Sequence, residues 1–127
     1  MTDQPRHHVV HMDEIESTAC PCGWAKRAFA DMTGSPASFH IVQITEDSTV
    51  HYHKRMTEIY HVLEGQGHLE LDGRRVPVRP GSTVMIQPGC HHRAVGKLTI
   101  INVAIPAFDP TDEYLPTQEQ SSARGAT

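Results

Sequence analysis

From residue 38 onward apolar and polar residues alternate in short runs, broken by turn residues at spacings of about ten. SFHIVQIT (38–45) is rich in β-branched and aromatic residues and lies between GSPA and EDS. TVHYH (49–53), EIYHVLEG (58–65) and GHLELDG (67–73) follow, the last with Leu69 and Leu71 on one face and a hairpin signal at Asp72-Gly73. RRVPV, STVMIQ (82–87) and HRAVGKLTIINVAI (92–105) complete the series, the last as one or two strands around Gly96. This rhythm predicts an all-β single domain, a barrel or sandwich.

The segment before residue 38 is less regular. GWAKRAFADM is compatible with a short helix or an edge strand; the β context and the bracketing Gly23 and Gly34 favour a strand with Trp24, Ala28 and Phe29 inward. The end, LPTQEQSSARGAT, is polar and aperiodic and is expected to be disordered.

Composition narrows the function classes. The 127 residues suffice for one core but not two. A net charge of −4 with scattered basic residues argues against nucleic acid as a partner. No apolar run approaches the roughly 20 residues of a membrane span, and the N-terminus lacks a secretory pattern, so a cytoplasmic location is expected. Cys20, Cys22 and Cys90 are odd in number, and Cys20 and Cys22 are too close for an easy mutual disulfide, which fits a reducing compartment.

The chemistry concentrates in HYHKRMTEIYH, residues 51–61. Strand alternation puts His51 and His53 on one side and Tyr52 on the other. In the next strand Glu58, Tyr60 and Val62 share a face, opposite Ile59, His61 and Leu63. Two neutral imidazoles beside a carboxylate suit a divalent first-row metal, although an HxH pair alone is more often a wet strand face. PGCHHR (88–93) then opens a strand with a histidine pair of which only one member can face inward.

HYHKRMTEIYHVLEG has the form H-x-H-x4-E-x6-G, and GSTVMIQPGCHH the form G-x6-P-G-x2-H. Together they resemble the two signature motifs of the cupins, small metal-binding β-barrels of the jelly-roll type, over residues 38–106. The departures are Thr45 and Gly96, where a glycine and an asparagine are usual, and Gln87-Pro88, where proline usually stands one place earlier. These positions concern turns rather than ligands.

The resemblance implies a jelly-roll barrel over 38–108, an N-terminal arm of edge strands over 1–37 and a partly disordered tail over 109–127. It implies one divalent ion, Fe, Mn, Ni or Zn, held by His51, His53, Glu58 and His92, with His91 outward. Such a set leaves a net charge near +1 and, in octahedral geometry, two free positions, which favours an anionic or bidentate oxygen substrate. Tyr60 is the candidate catalytic acid or base, with a packed barrel tyrosine as the structural alternative. Arg93 is turned outward by alternation, Cys90 is read as packing, and Gln43 and Met85 are candidates for the interior. The implied activity is that of a metal-dependent enzyme, an oxidoreductase of the dioxygenase type. The alternatives are an isomerase, a lyase like those cleaving dimethylsulfoniopropionate (with Tyr114 as a second phenol), and a non-catalytic binding module. The apolar outward positions Ile59 and Leu63 suggest a homodimer.

Overall fold

The computed structural model describes residues 5–116. Its strands are β1 (Thr18–Cys20), β2 (Gly23–Ala28), β3 (Ser38–Ile44), β4 (Thr57–Leu71), β5 (Arg74–Val78), β6 (Thr83–Ile86) and β7 (His92–Ile105), with one 3-10 turn at Met12–Glu14. They pair antiparallel in the order β1-β2-β3-β7-β4-β5, and β6 adds to β4. The fold is all-β, a single-domain jelly-roll barrel.

The inner face follows the period of two. Buried positions are Ser38, His40, Val42 and Ile44 on β3, Glu58, Tyr60 and Val62 on β4, and Leu98, Ile100, Asn102 and Ala104 on β7. The core cluster includes Val42, Ile44, Val62, Leu69, Ile86 and Ile100, each of which gains about 1.5–3 kcal/mol by leaving water. The polar inner residues lie together instead of being scattered. The register places Arg27, His40, Asn102 and Tyr60 directly opposite one another across β2, β3, β7 and β4, and Ser38, Ala104 and Glu58 form the next row.

Three sequence expectations change. The runs 58–65 and 67–73 fuse into one strand, because Gly65 and Gly67 permit close approach instead of ending pairing. A Cβ on either would lie 2.2 Å from a carbonyl oxygen of β7, Lys97 or Val95, and the register slips between Val62 and Glu64. The stretch 49–53 is not a strand. It is held by isolated bridges, His51 to His92 and Tyr52 to Tyr114, which still send alternate side chains to opposite sides. The segment after Gly23 is a strand as expected, but Trp24 faces out, 49% exposed, while the small Ala25 and Arg27 take the inner face. Phe29 lies beyond the strand end, at φ 67°.

Candidate metal centre

His51 and His53 come from the segment before β4, Glu58 is the second residue of β4 and His92 the first of β7. One ligand atom from each lies within 4.8 Å of the others, and all but His51 are buried. The bridge between His51 and His92, with N–H to O distances of 3.0 and 2.8 Å, brings the two sequence motifs together.

Backbone carbonyls orient the imidazoles. Nδ1 of His51 is 2.8 Å from the Thr49 carbonyl, that of His53 2.5 Å from Asp112 and that of His92 2.9 Å from Cys90. A carbonyl only accepts, so each Nδ1 carries the proton and each Nε2 presents a lone pair to the cluster. Glu58 Oε1 lies 3.0 Å from His53 Nε2 and 3.1 Å from His92 Nε2, while Oε2 accepts from Asn102 Nδ2 at 2.7 Å.

This arrangement fits a divalent cation. His53 Nε2 is buried and has no hydrogen-bond partner among the described residues. Its lone pair faces a carboxylate oxygen, a repulsive pairing unless a positive centre stands between them. Burial, the largest influence on Glu58, opposes its ionisation, but the adjacent His53 and His92 imidazoles outweigh burial and hold its carboxyl well below the usual range. The site therefore offers an ionised carboxylate at neutral pH. Burial, followed by the nearby His92, lowers His51. Glu113 adds a second carboxylate at the rim, 3.7 Å from His51 Nε2.

Asp112 was invisible to sequence reading, since it lies in a polar stretch 59 positions from His53. It is 1% exposed, and its carboxylate accepts the backbone N–H groups of Lys54, Arg55 and Met56 at 2.9, 3.0 and 2.9 Å while its carbonyl holds His53. One residue thus fixes both the loop between His53 and Glu58 and the tautomer of His53. Asn102, the partner of Glu58, was likewise missed.

Tyr60 is buried one residue pair along from Glu58, its ring 6.1 Å from that of His92. Burial, with the Glu58 charge second, raises the phenol well above its ordinary value, so it keeps its proton. Other candidates lie elsewhere. His61 meets Thr83 Oγ1 at 2.8 Å on the outer face, His91 stacks on Tyr52 at 4.5 Å, and Arg93 pairs outward with Glu70. Tyr114 stacks on Tyr52, on the side away from His51 and His53. Contrary to expectation, Gln43 and Met85 both point out, Met85 being 61% exposed, because their partners Trp24 and Ile59 carry the outer parity. Cys90 packs against the core with a thiol raised chiefly by burial. Cys20 and Cys22 are free thiols with sulfurs 3.2 Å apart at the β1–β2 turn, outside the cluster; burial and the Cys20 sulfur push Cys22 up to about 12.

Residues 38–97 match the Cupin domain family. The chain belongs to the cupin superfamily. A solved protein from Planctomyces limnophilus is 42% identical to this cupin, covers 86% of it and 96% of its own length, and superposes with a TM-score of 0.79. Streptomyces Pac13, described as a nucleoside dehydratase, has a TM-score of 0.71 at 18% identity, over 86% of this chain and 93% of its own, a likeness of fold alone. The uncharacterized protein MJ1618 of Methanocaldococcus jannaschii is 36% identical over 53 residues, 42% of this chain and 42% of its own length. The chain therefore matches less than half of that curated relative. Among the described residues no helix is long and apolar enough to cross a membrane.

Proposed function

We propose that this cupin is a metal-dependent enzyme acting on a small oxygen-rich or carboxylate metabolite, with dioxygenase chemistry as the leading reaction class. The observation that carries the reading is the unpartnered, buried Nε2 of His53 in a cluster whose three imidazoles are each turned by a backbone carbonyl. His51, His53, Glu58 and His92 would hold the ion, which when bound supplies Lewis acidity or, if iron, a place for oxygen beside the substrate. Asn102 keeps the Glu58 carboxylate oriented, and Asp112 does the same for His53. Tyr60 remains protonated at neutral pH, its ring 6.1 Å from that of His92, and in this reading it would donate a proton or hydrogen bond to the substrate.

The neutral phenol favours a second reading, a lyase or isomerase in which Tyr60 delivers a proton to the leaving or rearranging oxygen. The apolar outer residues Ile59, Met85, Ile101 and Val103 lie across β4, β6 and β7 and support pairing with a second copy. Elemental analysis of protein purified without chelator, followed by oxygen-electrode assays of the Fe(II)-loaded protein on diketones, phenols and hydroxy acids, tests the proposal. Oxygen uptake dependent on iron supports a dioxygenase; turnover without oxygen that falls in Tyr60→Phe supports the lyase or isomerase; bound metal without turnover across the panel leaves a binding module. Light scattering tests the dimer.

A further inference from the structure

Among the described residues three buried side-chain atoms lack a hydrogen-bond partner: His53 Nε2, Arg27 Nε and Asn102 Oδ1. The first belongs to the metal cluster. The other two sit in one interior row, with Arg27 opposite His40 and His40 opposite Asn102. Neither the ion pairs nor the hydrogen bonds of the described residues include the Arg27 side chain, whose guanidinium lies 4.5 Å over the Phe108 ring. Phe108 in turn meets His40 edge-on at 5.5 Å. His40 supplies no positive charge to the row, because burial and then Arg27 push it down to about 4. Asn102 is committed through Nδ2 to the Glu58 carboxylate, which leaves its Oδ1 as an acceptor only.

A buried guanidinium N–H and a buried amide oxygen, both without a partner and both in one row of the sheet, are costly unless a ligand completes them. We propose that this row is the substrate-recognition wall of the barrel and takes a small hydroxy acid: its carboxylate on Arg27, its hydroxyl donating to Asn102 Oδ1. The two Cα positions are separated by two strand spacings, about 10 Å, with His40 between them, which is the span a ligand of a few carbons would have to bridge over that ring. The inference deepens the proposed function, since it places the substrate against the metal-holding Glu58 through Asn102. Arg27 also borders a cleft of about 730 Å³ beneath the N-terminal arm, lined by His7, Val9 and Phe29, which gives the guanidinium a second, open side.

The probes are 3-hydroxybutyrate and butyrate, titrated by ligand-observed NMR into the purified protein as isolated and after chelation. Arg27→Gln is expected to weaken both at least about tenfold, which is about 1.4 kcal/mol. Arg27→Lys, which keeps the charge but not the planar fork, should fall between. Asn102→Ala should abolish the preference for the hydroxylated acid over butyrate. Circular dichroism verifies that each variant is folded. Binding of the carboxylates by wild type and Arg27→Gln within twofold of one another, or by neither, overturns the proposal, as does an unchanged preference in Asn102→Ala. Measuring metal binding by calorimetry on the same samples separates the two ideas: loss of the Arg27 effect with metal still bound sinks only the hydroxy-acid wall, whereas an Arg27 effect in a protein that binds no metal sinks only the metal reading.

Discussion

His92 and His91 are neighbours in the chain yet belong to different environments. His92 is 1% exposed, has its Nδ1 on a carbonyl and its Nε2 in the cluster. His91 is half-exposed and stacks on Tyr52, its backbone tied to the Asp72 turn. Glu58 and His61 on β4 divide the same way, one inside with three polar neighbours, the other outside on Thr83. Inside, each polar group is held in one orientation by fixed partners and desolvated. Outside, the same residue types make contacts that water can replace, His91 with Tyr52, the Gly89 carbonyl and Asp72, and His61 with Thr83. Chemistry is concentrated where orientation is enforced, and the strand period decides which residues go there.

The contrast can be broken at its strongest point first. His53→Ala and His92→Ala should each lose metal binding by more than the roughly 10–100-fold expected from disturbing a ligand's supporting partner. His61→Ala and His91→Ala should bind within about twofold of wild type, well under the tenfold that 1.4 kcal/mol represents. Calorimetric titration with Zn(II) decides, and equal losses in all four would dissolve the distinction between the faces. Asp112→Ala comes next. Metal affinity should fall about 10–100-fold, and the melting temperature should drop, because three backbone donors each lose an acceptor worth about 1–3 kcal/mol when buried.

A third test sharpens the comparison through pH in metal-free protein. Unfolded His40 gains a proton below about pH 6.5, while the folded protein resists until about 4, so the unfolded state binds more protons in that window. The contribution is complete above the window and is lost as pH falls through it, up to about 3 kcal/mol by pH 4. Urea melts at pH 6.5 and 4.5 should show a smaller difference in His40→Asn than in wild type; the same slope in both would place the acid sensitivity elsewhere. Smallest is the outer pair. Arg93→Ala breaks its contacts with Glu70 in solvent and should leave the melting temperature nearly unchanged.

The strand rhythm, the shared side of His51 and His53, the shared face of Glu58 and Tyr60 and the two-motif spacing were all legible before any coordinates, because side-chain alternation is a local property of extended backbone. So was the hairpin at Asp72-Gly73, whose residues both take positive φ, 50° and 80°. Gly65 misled for the same reason that it matters: a glycine that ends a strand and one that lets another strand pass read alike in one dimension. Trp24 was expected inward, and only its partner Gln43 across β3 reveals the outer parity.

Local alternation in the sequence determined a β-fold, and the resemblance of its two motifs to those of the cupins nominated four candidate metal ligands. The tertiary structure alone decided what holds and surrounds them: Asp112 and Asn102 reach the cluster from 59 and 44 positions away, and Arg27 enters the same interior through a register that no periodicity encodes. Alternation assigns a residue to a face, but which faces meet is set by long-range strand pairing, whose free energy depends on the whole closed sheet and not on any single segment.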